Sequence, residues 1–121
     1  YIVDSSRGRD RGLYPDGDNA EVTASTSAKD LQSFDTDGFT VGEPEDANST
    51  NSTSSTKVAW QWKSGGGTTA SNTDGDITST VQANTTAGFS IVTYTGNTSN
   101  NQTVGHGLGA VPSLIIIRNR S

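Results

Sequence analysis

The 121-residue chain carries a net charge of −5, and only 29% of its residues are hydrophobic. Nucleic-acid-binding domains display clustered Lys and Arg, so this acidic balance argues against a nucleic-acid partner. The chain has no cysteine, which excludes a disulfide framework and a thiolate metal site. No apolar run approaches the roughly 18 residues of a membrane-inserted helix.

Large apolar residues are too scarce to fill an ordinary core. Serine and threonine supply more than a quarter of the chain, well above their usual share. A single domain of this length normally buries roughly two-thirds of its unfolded surface, which this composition does not support. We therefore expect other chains to complete the core, or further parts of a longer polypeptide of which this chain is an internal piece.

The hydrophobic pattern predicts an all-β fold, because apolar residues alternate with period two and no stretch sustains helical spacing. The architecture we expect is a loop-rich β-sandwich or jelly roll. In chain order, the predicted strands are Tyr1–Asp4, Gly38–Gly42, Thr56–Lys63, Asp76–Ala83, Gly88–Gly96, Gln102–His106 and Ser113–Arg118.

The segment Thr56–Lys63 has one apolar face. Val58, Trp60 and Trp62 fall on one side of the predicted strand, and polar or small residues fall on the other. Aromatic side chains bury large areas and dominate small cores. The two indoles are therefore expected to lie on one buried face.

Two later strands are predicted to be covered on both sides. Gly88–Gly96 has partly apolar residues on both faces, which favours a central place in a sheet. Ser113–Arg118 is continuously apolar, as buried strands are. We expect this last strand to be buried against other chains or other parts of the parent protein, because an uncovered apolar edge invites aggregation.

A glycine-rich run divides the chain into parts of two modules. Ser64–Thr68 contains three consecutive glycines, which accept backbone conformations that other residues avoid. We therefore predict that residues 1–63 are the C-terminal part of one β module and that residues 88–121 begin a second β module. Residues 64–87 are the predicted Gly/Ser/Thr-rich linker.

The sequence predicts no catalytic, cofactor or metal site. His106 is the only histidine, and a Ser-His-Asp relay also needs a positioned carboxylate and nucleophile, so we interpret it as part of a backbone turn. The Asp-Gly-Asp triplets at 16–18 and 74–76 supply too few local oxygens for the six to eight ligands of calcium. Asp-Gly suits tight turns, and calcium binding is the less favoured alternative.

Six residues are candidate contacts for assembly or for a glycan. They are Arg7, Arg9, Arg11, Trp60, Trp62 and Tyr94. The three arginines lie in a predicted loop, Arg7–Asp18, where mixed charges more often form solvated pairs of little energy; pairing between subunits is the favoured functional alternative. The three aromatic side chains offer surfaces on which sugars stack, although burial in the core is the favoured interpretation.

Three stretches of sequence carry a family resemblance. They are DSSRG with SFDTDGFTVG, then KVAWQWKSGGG after a polar loop, then DITSTVQANTTAGFSIVTYTGN with VGHGLGAVPSLIIIRNR. Together they resemble an uncharacterised β-rich module of tail fibres and other virion structural proteins of tailed phages, especially marine ones. In that family the GFSIVTYTGN and HGLG strands open a module and the GFT and VAW-W strands close one, so this chain would span two consecutive modules.

The resemblance implies a non-enzymatic structural component of a phage particle, in a tail fibre, spike or host-adhesion protein. Its partners would be other virion subunits, including copies of itself, and a host surface glycan; no cofactor or membrane insertion is implied. The alternatives are a carbohydrate-binding adhesion module and a capsid-decorating protein. Exposure of Trp60 and Trp62 distinguishes the adhesion module from the structural role, and position on the particle distinguishes capsid decoration.

Overall fold

A computed structural model describes residues 1–23, 30–43, 49–53, 55–65 and 68–121. Within these ranges the chain is all-β and loop-rich, with antiparallel strands in three small sheets, which confirms the predicted fold class. No described residue belongs to a helix, and hence none forms a helix able to cross a membrane. The strands are β1 Ile2–Asp4, β2 Gly8–Leu13, β3 Val22–Thr23, β4 Leu31–Asp35, β5 Gly38–Val41, β6 Ala70–Asn72, β7 Ser79–Asn84 and β8 Phe89–Tyr94.

The chain divides into two compact units. The first comprises Tyr1–Trp60 with Ile117–Ser121, and the second comprises Gln61–Ile116. The first unit holds a three-stranded sheet in the order β1-β2-β3 and the β4-β5 hairpin. The second holds the sheet β6-β7-β8, with β7 in the middle.

A tight turn joins β1 to β2 in the first unit. The Asp4 carboxylate accepts hydrogen bonds from the backbone N–H groups of Ser6 and Arg7, the local pattern by which Asp fixes a turn. Leu13, at the end of β2, and Leu31, at the start of β4, are buried. The Leu31 N–H donates to the Tyr1 hydroxyl at 3.1 Å, and burial raises the pKa of that phenol. This hydrogen bond therefore joins β4 to the first residue of the chain beside the small apolar core of the unit.

The β7–β8 hairpin is the most regular part of the second unit. Its two strands pair along all six residues, from Ser79 opposite Tyr94 to Asn84 opposite Phe89. The Asn84 side chain accepts the Ala87 N–H at 2.9 Å, and Gly88 takes the left-handed conformation, with φ of 67°, that favours glycine. The turn chemistry therefore fixes the register of the hairpin.

Several predicted strands are present at or near their predicted positions. β1, β5, β7 and β8 overlap the predicted strands Tyr1–Asp4, Gly38–Gly42, Asp76–Ala83 and Gly88–Gly96 respectively. The candidate Gln102–His106 contributes only an isolated parallel bridge between Val104 and Ile77. β2, β3, β4 and β6 were not predicted, and β2 lies within the segment predicted to be a loop.

The prediction for Thr56–Lys63 is wrong. These residues form no strand, and Trp60 and Trp62 are 72% and 65% exposed instead of buried on one face. The alternating pattern suits a strand, but in the described chain no neighbouring strand pairs with this segment. Without a partner it remains an extended, exposed stretch.

The central position predicted for β8 is wrong, and the burial predicted for residues 113–118 against other chains or other parts of the parent protein stays a prediction. Residues 113–118 form no paired strand, and the side chains of Leu114–Ile117 are 68–76% exposed. β8 lies at an edge of its sheet, not at the centre, because β7 alone pairs with it. Residues 64–87, predicted as a linker, contain β6 and β7; the division into modules stays a prediction.

Candidate functional site

The carboxylate of Glu21 bonds two arginine side chains in the first unit. Its side chain is 6% exposed and accepts two hydrogen bonds from Arg120, at 2.8 and 2.9 Å. Arg7 donates a third at 2.7 Å. The bonds from Arg120, and then that from Arg7, lower the pKa of Glu21 to about 2 against the opposing effect of burial. Glu21 is therefore ionised at every physiological pH.

The three arginines predicted as contact residues have different partners near the Glu21 carboxylate. Arg7 is 5% exposed and also donates to Asp4 at 2.6 Å. Arg11 donates to the Thr23 hydroxyl at 2.9 Å and lies 3.9 Å from Glu21. Arg9 is exposed and reaches the Leu31 carbonyl at 3.3 Å. Arg7 and Arg11 thus meet at one carboxylate, and Arg9 does not join them.

The end of the chain is bound to this ionic cluster. The Glu21 N–H donates to the Arg120 carbonyl at 3.0 Å, and Arg118 donates to the Asn19 carbonyl at 2.6 Å. Backbone and side-chain bonds together hold residues 118–120 beside residues 19–21. The cluster has a structural role: its charged groups bond one another and so join the two chain segments.

Trp62 provides an aromatic platform in the second unit. Its indole stacks on the ring of Phe89, with centroids 5.9 Å apart and planes at 14°. Beyond it, the Ser64 hydroxyl bonds to the Gln82 side chain, and the Asn84 amide reaches the Lys63 and Ser64 carbonyls at 3.4 Å. These contacts hold Trp62 against the β7–β8 hairpin while most of its surface stays exposed.

Tyr94 and Trp60, the other aromatic candidates for contacts, lie elsewhere in the chain. Tyr94 is partly exposed at the end of β8, in the same unit as Trp62. Trp60 belongs to the first unit and is exposed. On the opposite face of β7, an open depression of about 370 Å³ is lined by Asn72, Val81 and Gly107 among others. Its walls carry small and polar groups.

The Asp-Gly-Asp sequence at 74–76 acts as a structural turn. The Asp76 carboxylate accepts from the Thr103 hydroxyl and backbone N–H at 2.7 and 3.0 Å, and these bonds lower the pKa of Asp76. A Cβ placed on Gly75 would lie 2.6 Å from the Thr103 carbonyl oxygen, so only glycine fits this approach. Within the described ranges, no cluster of three or more metal-ligating residues occurs.

His106 also has a local role. Its Nδ1 accepts the Leu108 N–H at 3.1 Å, within the turn where Gly107 takes a positive φ of 70°. Nearby, the Ser79 hydroxyl donates to the Gly105 carbonyl at 2.9 Å. The Gly-His-Gly-Leu-Gly segment is therefore shaped by a local bond and held to the first residue of β7 by the bond from Ser79.

Comparison with known proteins places the chain in a family. All of residues 1–121 match the sequence profile described as a domain of unknown function, DUF7483. The chain belongs to the DUF7483 family. No curated protein and no solved structure matches this DUF7483 chain significantly.

The sequence did not predict the residues that complete the ionic cluster at Glu21 or the aromatic stack at Trp62 in this DUF7483 chain. Glu21 and Arg120 are 99 positions apart, so no local motif links them. Phe89 was expected to pack within a strand, and its stack with Trp62 depends on a contact across 27 positions. The only sequence signals were an isolated acid before a short β-rich stretch and an Arg-rich end.

Proposed function

We propose that this domain is a non-enzymatic structural component of a phage particle, located at the particle surface or tail in a tail fibre, spike or host-adhesion protein. The phage assignment is supported by the sequence resemblance described above. The assembly role is supported by the exposed segment Leu114–Ile117. Soluble monomers rarely expose contiguous aliphatic side chains of this extent, and such surfaces mark interaction sites.

The polar groups of the domain also suit a structural role. Arg7, Glu21 and Arg120 bond one another, and Asp76 bonds the Thr103 loop. These side chains hold backbone segments in place instead of facing a common cleft. The charged residues described here therefore stabilise the fold and leave the loops and the apolar segment for contacts with partners.

An antibody raised against residues 1–121 tests the proposal. We expect it to label purified particles of the phage that encodes the domain, when these are separated on a density gradient and viewed by immunogold electron microscopy. Label on a fibre, spike or baseplate supports the proposal, and label spread over the shell supports capsid decoration. Antigen recovered only in the particle-free fraction contradicts both.

A carbohydrate-binding adhesion module is the second candidate, favoured by the exposure of Trp62. One face of this indole rests on Phe89 and most of the residue remains open to solvent. Aromatic side chains held flat in this manner present large, rigid, amphipathic surfaces with a polar N–H at the edge. A sugar ring stacked on Trp62 is the expected contact.

A matched pair of tryptophan variants tests the glycan candidate. Trp62→Ala is expected to abolish binding of host cell-wall polysaccharide, measured by co-sedimentation, and Trp60→Ala is expected to leave it unchanged. Both residues are exposed, so neither change disturbs a core. Equal binding by both variants, or no binding by the wild-type chain, removes this candidate.

A further inference from the structure

We propose that residues 113–118 of one copy of this chain add as a fourth strand to the free edge of β8 in a second copy. The proposal names the partner in the assembly role, and in that respect it rests on the proposed function. It unites two features that the single chain leaves unsatisfied: an uncovered strand edge and an apolar strand without a neighbour.

The free edge belongs to β8. Each of its six residues is paired with β7 on one side, and no backbone hydrogen bond from another described segment reaches its other side. Ile91 and Val92 point to opposite faces of the sheet, and both are only half-buried. An uncovered edge of this length presents a row of N–H and C=O groups that can pair with an added strand.

The added strand is the segment 113–118. Its four central residues are Leu-Ile-Ile-Ile, and the β-branched isoleucines favour extended backbone. In the described chain, none of these six residues makes a backbone–backbone hydrogen bond. The side chains of Leu114–Ile117 are exposed on both sides, as expected for a strand whose neighbour and covering layers lie in another molecule.

The two surfaces match in length and in pattern. β8 has six residues, and so has the segment 113–118. Both have apolar side chains on the two faces, so the added strand would extend two partly apolar surfaces at once. Each aliphatic side chain carries roughly 60–120 Å² of apolar surface, and the four central residues together carry roughly 250–500 Å².

This area suits a stable contact between copies. A standard interface buries about 800 Å² on each partner. In one contact, the four aliphatic side chains supply roughly a third to three-fifths of this area. The paired backbone of the segment 113–118 and the covered edge of β8 add to the area of the aliphatic side chains. The total is of the order that a specific interface requires.

The arrangement is head-to-tail. The donating and accepting surfaces differ, so the contact is heterologous and generates a closed ring or an open filament. The end of the donating segment is fixed, because Arg118 bonds the Asn19 carbonyl and Arg120 bonds Glu21. A second copy receives the segment without release of these bonds.

Disulfide trapping tests the pairing directly, since the natural chain has no cysteine. One preparation of the full chain carries Ile91→Cys in β8. Others carry Leu114→Cys, Ile115→Cys or Ile116→Cys, one change in each, so that one of them falls in register. After mixing and mild oxidation, non-reducing electrophoresis and mass spectrometry should show a mixed dimer at least tenfold more abundant for one of these pairs than for Ile91→Cys with Val58→Cys.

Val58→Cys is the matched control, because Val58 is also exposed and also lies in an unpaired apolar stretch. Preferred trapping with Val58 would show that the other stretch docks on β8, and would overturn the proposal. A chain carrying Ile91→Cys and Ile115→Cys that closes only within one copy would also overturn it. In that case the segment covers its own β8.

Sedimentation of unlabelled protein gives a second readout. Ile115→Lys is expected to weaken self-association roughly tenfold or more, because a buried aliphatic contact is replaced by a charge. Val111→Lys, at a more exposed position outside the added strand, should not weaken it. A wild-type chain that is monomeric at all concentrations overturns the pairing. Absence of the antigen from particles, with trapping intact, overturns only the proposed function.

Discussion

The ionic cluster at Glu21 and the aliphatic segment Leu114–Ile117 reverse the usual distribution of polar and apolar residues. The side chains of Glu21 and Arg7 are almost fully buried in the first unit and bond each other, and the half-exposed Arg120 also bonds Glu21. Four aliphatic side chains lie outside, uncovered. Buried charges persist when their partners are present, whereas exposed apolar runs persist when a partner is supplied. The ionic cluster is thus complete within the chain, and we propose that a partner completes the aliphatic segment.

Removal of Glu21 is expected to have the largest effect on stability. Glu21→Ala leaves the almost fully buried Arg7 with one carboxylate partner, Asp4, instead of two, and releases Arg120. The free energy of unfolding should fall by about 3 kcal/mol, measured by urea denaturation followed by circular dichroism. Glu43→Ala, at an exposed site, is the matched control. An equal, small effect of both changes would show that the cluster contributes little.

A core substitution in β7 is expected to have the next largest effect on the free energy of unfolding. Val81 is buried in the central strand of the second unit. Val81→Ala should lower the free energy of unfolding by about 2 kcal/mol, the sum of lost burial and a small cavity. Val111→Ala, at an exposed position, is the control and should change it by less than about 0.5 kcal/mol.

Acidification provides a milder test of the same cluster. The folded pKa of Glu21 lies near 2, below its ordinary value of 4.5, so its stabilising effect is present above pH 4.5 and is lost as the pH falls towards 2. With allowance for solvent screening, the loss should be about 1–2 kcal/mol. Urea denaturation of wild type and Glu21→Gln between pH 6 and 2.5 measures it.

The difference in unfolding free energy between wild type and Glu21→Gln separates the contribution of Glu21 from those of the other carboxylates. Hydrogen bonds from Ser33 and Thr40 also lower the pKa of Asp35, and those from Thr103 lower that of Asp76. These groups lose stabilisation in the same direction in both proteins. The stability gap between wild type and Glu21→Gln should therefore narrow on acidification, and a constant gap would contradict the assignment.

Strands whose signals are local were predictable from sequence. β5 and β8 follow Asp-Gly and Ala-Gly turns and alternate apolar with polar residues, so their existence and approximate bounds followed from the pattern. β2 was missed because its residues, Gly-Arg-Asp-Arg-Gly-Leu, lack alternation. Its position depends on pairing with β1 and on the Asp4 turn, which involve tertiary contacts.

The failure at Thr56–Lys63 has a different cause. Its alternation is typical of a strand, but a strand also needs a neighbour to satisfy its backbone groups. Periodicity reports which side chains share a face and does not report whether a partner exists in the same chain. The same limit applies to Ser113–Arg118, which is exposed in the single chain and whose covering partner is predicted to be another chain or another part of the parent protein.

Ile115→Ala is expected to have the smallest effect on stability, and it best distinguishes the aliphatic segment from the ionic cluster. Ile115 lies in the exposed segment, so Ile115→Ala removes no contact of the monomer. It should change the free energy of unfolding by less than about 0.5 kcal/mol, measured at a concentration where the chain is monomeric. At higher concentration the same variant should associate more weakly than wild type, because a methyl group replaces the aliphatic side chain at the proposed contact. If instead Ile115→Ala destabilises the monomer as much as Val81→Ala does, the segment packs within its own chain, and the contrast between a complete region and an incomplete one does not hold.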